Sequence, residues 1–368
     1  MCYNHFMTFL KRTRHWYGRF ERPISSLSLI FGFIFDALTL KRLDTVWENS
    51  WILAHIIIVG VFILLIHIKE HGEGDELDPN KSHFWYVNIL QFFFGGLLST
   101  FLVFYFRSTD IFSTWPFLFL LALAFIANES FKRHYTKLSF QISLFFLSIY
   151  SFMIFLIPIV LHKISDWVFL LSGVVSLILI TIFVVVLFYL KKDKKTLNKK
   201  LTLYLTIGIF SLINFLYFTN LIPPIPLSLK DGGIYHLIEK NKNGNYNIAF
   251  ESHGWKDYFN LYKDFSIMPG ATVYAYSAVF SPKDLNLTII HEWQYYNTAS
   301  KKWVTGAVVS LPVTGGRDGG FRTYSKRVNI APGKWRVNVE TEQGKTIGRL
   351  LFNIVSAYTE PPLLNSTK

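Results

Sequence analysis

HEWQYYNTASKKWVTGAVVSLPVTGGRDGGFRTYSKRVNIAPGKWR, running from His291 to Arg336, is the stretch whose pattern decides what the C-terminal part of the chain becomes. Apolar and polar residues alternate in short runs, and Asn, Gly and Pro punctuate them, which is the pattern of strands joined by tight turns. Working outward, the same pattern predicts strands at Thr272–Phe280, Asn286–Tyr296, Trp303–Leu311, Phe321–Ile330, Trp335–Thr341 and Thr346–Val355. Gly344 sits between the last two as a hairpin turn. Six or more closely spaced strands without helical period predict an antiparallel sandwich of immunoglobulin-like type. The single cysteine, Cys2, excludes an internal disulfide, so aromatic residues must supply the core.

Upstream the pattern changes. Apolar residues make up 51% of the chain and aromatics 18%, the balance of a polytopic membrane protein. Seven apolar runs, near 23–40, 50–68, 84–106, 112–131, 138–161, 167–190 and 201–222, are each expected to form a transmembrane helix. The expected organisation is a basic aromatic interfacial segment (1–22), a seven-helix transmembrane domain (23–222), a Pro-rich linker (223–233) and an extracytoplasmic β-sandwich domain (234–368). Residues 1–22 start basic like a signal peptide. No small-residue cleavage site follows, so an uncleaved anchor is expected. Cys2 lacks the preceding apolar segment of a lipoprotein site.

Orientation follows from Lys and Arg in the connections. With the N-terminus inside, the inner segments hold five, two, three and six, while the outer ones hold two, one and one. Sixteen against four places the N-terminus in the cytoplasm and the C-terminal domain outside it. The net charge of +13 is shared by both halves, with no aromatic-studded basic patch for nucleic acid. Trp47, Trp51, Trp85, Trp115 and Trp167 fall near span ends, where indole rings favour the headgroup zone.

The residues HEW (291–293), GGRDGGFRTYSK (315–326) and PGKWRVNVETEQGKTIG (332–348) give the C-terminal quarter a resemblance to the bacterial family catalogued as domain of unknown function 2914. That domain is often the extracytoplasmic C-terminal part of proteins with a multi-helix membrane region. The resemblance implies a β-rich module in the bacterial envelope, and hence the inner membrane for the helices. It brings no activity and no functional residues.

The sharpest candidate ligand site is His291, Trp293, Arg317, Arg322 and Trp335. Two guanidiniums and an imidazole on an aromatic floor would suit an anionic group or a sugar. The competing reading makes both tryptophans core and pairs the arginines with Glu292, Asp318 or backbone. Gly315, Gly316, Gly319 and Gly320 are followed by β sequence rather than a helix, so they read as a hairpin turn and not a phosphate loop. Within the apolar spans, Asp36, His55, Asn128, Glu129 and Asn214 are the notable intramembrane polar residues. Asn214, Asn88 and Gln91 suit helix-to-helix hydrogen bonds, and Glu129 can pair with Arg133 one turn on.

No GxSxG or HExxH spacing occurs, and no catalytic residue, metal or cofactor is assigned. The expected function is a non-catalytic membrane protein whose β-sandwich binds an envelope glycan, lipid headgroup or membrane-protein partner beside the lipid bilayer. One alternative is a transporter or flippase, or its accessory subunit, using Asp36, His55 and Glu129. Another is an enzyme modifying envelope lipid or glycan.

Overall fold

The computed structural model describes residues 27, 30–40, 46–69, 82–108, 111–130, 137–190, 199–222, 227–242, 244–252, 260–281, 287–313 and 320–368. The segment 1–22, Arg317, the glycines at 315, 316 and 319, the side chain of Glu129 and the prolines at 223, 224 and 226 lie outside them. The chain divides into two compact units. One comprises Met1–Arg107 with Trp115–Leu221, the other Ser108–Thr114 with Ile222–Lys368.

The first unit is helical. Its described elements are α1 (Ile30–Thr39), α2 (Val46–Lys69), α3 (Ser82–Ser108), α4 (Ile111–Ser130), α5 (Leu138–Leu161), α6 (Asp166–Leu190) and α7 (Lys199–Phe218). Counting the described residues alone, five of them (α2, α3, α5, α6 and α7) are long and apolar enough to cross a membrane. α5 packs against α2, α6 and α7. It ends where His162 adopts a left-handed conformation, and the Lys163 amide donates back to the Pro158 carbonyl at 3.2 Å.

Polar side chains in this unit find partners across helices. The Gln91 amide donates to the Asn128 carbonyl at 2.8 Å, and Asn128 Nδ2 returns to the Gln91 carbonyl at 3.3 Å. Asn214 Nδ2 reaches Tyr150 Oη at 3.1 Å, Tyr217 Oη donates to Asp166, and His67 meets Gln141 at 2.9 Å. Such bonds substitute for the water that a buried polar group has lost.

The second unit is β. Its strands are β1 (Ser228–Tyr235), β2 (Leu237–Lys240), β3 (Tyr246–Glu251), β4 (Lys263–Ile267), β5 (Thr272–Phe280), β6 (Leu287–Asn297), β7 (Lys302–Val313), β8 (Phe321–Val328), β9 (Gly333–Thr341), β10 (Thr346–Ser356) and β11 (Leu363–Thr367). Strand β1 occupies the second half of the stretch expected to be linker. The sheets order as β1-β5-β8, β4-β10-β9-β6-β7 and β11-β3-β2. All pairs are antiparallel except β4 with β10, which is parallel.

Alternation stacks these sheets in three layers. Val273 and Ala275 on one face of β5 join Trp293, Trp335, Val337, Phe352 and Phe265 of the five-stranded sheet in one core. Tyr276 and Ala278, on the other face, join Tyr235, Ile238, Tyr246 and Ile248 in a second core. β5 is therefore covered on both sides, which is why its sequence TVYAYSAVF is apolar almost throughout. Turn chemistry matches: Gly344 takes φ +72° in the β9–β10 hairpin. In the β6–β7 turn, Asn297 Oδ1 accepts from the Ala299 and Ser300 amides at 3.0 Å.

Candidate functional site

Strand β6 carries the sequence-predicted centre, and its alternation splits it. His291 and Trp293 point inward between the sheets and are both 0% exposed. Trp335 joins that core, with its Nε1 donating to the Ala331 carbonyl at 2.8 Å. Arg322 lies on the face of β8 opposite to Ser325, where its Nη1 donates to Asn245 Oδ1 at 3.1 Å. The five residues thus do not form one site: three are interior, Arg322 is in another layer, and Arg317 is outside the described residues. The period of two separates position 322 from the core-facing odd positions of β8.

What His291 does instead is close a polar relay between two sheets. Its Nε2 meets Ser277 Oγ at 2.7 Å and its Nδ1 meets Ser325 Oγ at 2.9 Å. Ser325 Oγ also accepts from Trp293 Nε1 at 2.9 Å, and Ser277 Oγ meets Thr323 Oγ1 at 3.0 Å. With the proton on Nε2, every donor is used: indole to Ser325, Ser325 to Nδ1, Nε2 to Ser277, Ser277 to Thr323. Burial pushes the His291 pKa down to about 4, so the imidazole is neutral at physiological pH.

The outward face of the same sheet holds a different arrangement. Thr305 Oγ1 donates to Glu292 Oε1 at 2.6 Å, and Asn338 Nδ2 donates to Glu292 Oε2 at 3.1 Å. Gln294 Nε2 donates to Thr305 at 3.2 Å, and its Oε1 accepts from Asn338 at 3.4 Å, which closes a ring across β6, β7 and β9. Arg336 Nε donates to Gln294 Oε1 at 2.7 Å, and Arg349 Nε to Asn338 Oδ1 at 3.1 Å. The Arg336 guanidinium lies 4.4 Å over the Trp303 ring.

The electrostatics of this face are set by crowding. Desolvation alone would raise the Glu292 carboxyl, but hydrogen bonds from Thr305 and Asn338 outweigh it and hold the pKa below its ordinary value. Glu340 goes the other way, raised first by desolvation and then by the charge of Glu292. Arg336 is lowered by desolvation and by Arg349 beside it. Each arginine commits its Nε to the ring, and among the described residues no bond from their Nη edges is seen; Arg336 presents its edge beside the Trp303 indole. Sequence reasoning missed Glu292, Gln294, Arg336, Asn338, Glu340 and Arg349 as a site. The available signal was polar residues at alternate positions of 292–294 and 336–340, with Arg349 beyond them.

In the helical unit, Ser99 Oγ donates to Asp36 Oδ2 at 2.5 Å. His55 Nδ1 donates to the Trp51 carbonyl at 2.9 Å, which directs Nε2 toward Gly96. Gly96 and Ser99 are about one turn apart on α3. Asn128 and Asn214 are spent on the cross-helix bonds described above. Among the described residues, no three His, Cys, Asp or Glu side chains come together as metal ligands.

Among solved structures, the chain is similar to a Pseudomonas fluorescens alkylpurine DNA glycosylase, AlkC, bound to DNA containing an abasic site analog. The similarity covers 85% of this chain and 99% of that chain at 9% identity, but the TM-score of 0.21 gives it no weight. No curated protein matches the chain. Residues 286–354, which hold both the His291 relay partners on β6 and β8 and the whole Glu292 ring, match the family described as protein of unknown function (DUF2914).

Proposed function

We propose that this is a multi-pass inner-membrane protein of the bacterial envelope. In this reading seven helices cross the bilayer, the N-terminus is cytoplasmic and the β unit is extracytoplasmic, where it binds an envelope ligand without catalysis. The five long apolar helices and the sixteen-to-four distribution of basic residues support the membrane reading. An immunoglobulin-like sandwich is supported by strand order. The chain passes from β5 to β6 and β7, back to β8, then to β9 and β10, with β1-β5-β8 facing β7-β6-β9-β10. A fully buried tryptophan on the third of these framework strands, Trp293 on β6, fits the same pattern.

The observation that carries the binding role is the preorganised outward face, where Arg336 lies over Trp303 with its Nε fixed on Gln294 and Arg349 is fixed on Asn338 nearby. Planar paired donors suit a carboxylate, and an indole suits a sugar ring, so the preferred ligand is an acidic glycan. The test is calorimetric titration of the full chain in detergent micelles with trigalacturonic acid. Binding that falls at least tenfold in Arg336→Ala and is unchanged in Arg322→Ala supports the reading. Equal losses in both variants, or none in either, would sink it.

A second reading, transport, is favoured by one observation: Asp36 and His55 are buried against neighbouring turns of α3. In that case Asp36→Asn removes flux in reconstituted vesicles while the Arg336→Ala protein transports normally.

A further inference from the structure

In the second core of the β unit, a cation is already bound by a built site. Lys368 Nζ is paired with the Asp231 carboxylate and lies 5.6 Å from the ring centroids of both Tyr235 and Tyr276. Tyr276 is 1% exposed and Tyr235 7%, whereas the Lys368 and Asp231 side chains are 26% and 43% exposed. The aromatic walls are therefore interior and the carboxylate end opens to solvent. Tyr246 stands edge-on to Tyr276 at 6.0 Å and completes the wall. A second cation near Tyr276, Arg322, is engaged by Asn245.

Two backbone features build this cage. The β1–β5 register shifts between Leu229 and Asp231. Leu229 packs into the first core, so without the bulge Asp231 would point there too. The extra residue turns Asp231 onto the face of Tyr235. Gly233 lies between them on that face, and a Cβ there would sit 2.6 Å from Tyr235 Oη. A bare backbone at 233 lets the Tyr235 ring lie back toward Asp231.

The piece that delivers Lys368 is loosely held. Among the described residues β11 pairs only with β3, and four of its five side chains are exposed. It follows residues 357–362, in which Tyr358 is fully exposed and Pro361 and Pro362 adjoin. Beyond backbone bonds, including the mutual pair between Lys368 and Tyr246 at 2.8 Å, it is held by an exposed bond from Thr367 Oγ1 to Asn247 Oδ1 at 3.2 Å and by the ammonium in the cage.

We infer that the Asp231–Tyr235–Tyr276 cage is a binding site for primary alkylammonium groups, filled in cis by Lys368 and exchangeable for an amine from outside the chain. Two ring faces attract the charge, and the carboxylate accepts N–H bonds that a quaternary ammonium cannot make. Lys368 is itself held above its ordinary pKa: desolvation opposes this, but the bonds to Asp231 and Tyr235 prevail. A tethered group competes at an effective concentration on the order of millimolar. The site is distinct from the Arg336 face and stands whether or not that face takes a glycan.

The experiment vacates the cage and refills it. The melting temperature of full-length Lys368→Ala in detergent micelles is followed by tryptophan fluorescence against n-butylammonium, tetramethylammonium and sodium chlorides at equal concentration. A saturable rise with n-butylammonium alone, abolished by adding Asp231→Asn, is the expected result. No rise beyond that with sodium, or a rise that survives Asp231→Asn, overturns the site. Should Lys368→Ala not fold, Lys368→Gln keeps the strand and is read the same way. O-phosphoethanolamine and Nα-acetyl-lysine amide then separate the sources: the larger rise identifies a lipid headgroup or a protein lysine.

Discussion

His291 and Glu292 are adjacent in the chain, yet one closes a buried relay and the other anchors a ring on the outward face of the same sheet. Both are polar, both are surrounded by hydroxyl and amide partners, and their environments drive them to opposite ends. Inside, desolvation wins and the imidazole stays neutral. Outside, hydrogen bonds win and the carboxylate stays charged. The difference teaches that polar residues in this sheet are architectural on one face and available to a ligand on the other, and that alternation along β6 decides which.

The sharpest way to break that comparison is at Trp293, which anchors the inner face edge-on to Phe352 at 6.2 Å. Trp293→Ala should cost about 3–5 kcal/mol in denaturant unfolding of the full chain, enough to unfold the β unit. A cost under about 1 kcal/mol would mean the inner face is not the structural one. Next in size is pH. The unfolded chain protonates His291 near 6.5 and the folded chain near 4, so the unfolded state binds more protons between those values. Stability present above pH 6.5 is lost as pH falls toward 4, by about 3 kcal/mol. In His291→Phe this part of the pH slope should vanish.

Ser325→Ala removes the shared partner of Trp293 Nε1 and His291 Nδ1. Orphaning those groups should cost about 1–3 kcal/mol. On the outward face the order reverses. Arg336→Ala should change stability by about 1 kcal/mol or less, yet weaken trigalacturonic acid binding at least tenfold. A large loss of stability there would place the Glu292 ring among the architectural contacts and erase the contrast.

Strands β5 to β10 were legible in the sequence because each is a short run rich in apolar and β-branched residues bounded by turn residues, alternating in β6, β9 and β10 and nearly continuous in β5. β1 was not, since Lys230, Asp231, Gly232 and Gly233 read as turn chemistry, and only the bulge explains why they remain in a ladder. β11 was invisible for a different reason: with its side chains in solvent it has no periodicity to detect. The parallel placement of β4 on β10 has no local signal either. His291 and Trp293 were correctly placed on one face, but alternation does not say whether that face is core or surface. Arg336, Asn338 and Arg349 meet Glu292 only through cross-strand register, a property of three strands and their turns.

Strands β10 and β11 complete strands made well before them: β10 supplies the parallel partner of β4, and β11 covers the edge of β3. Synthesis runs in the other direction, so β3 and β4 must wait with unpaired backbone until more than eighty further residues have been made. A chain that stops before residue 346 therefore leaves β4 without its ladder and the edges of β3 and β9 uncovered, a form more exposed to proteases and to edge-to-edge aggregation.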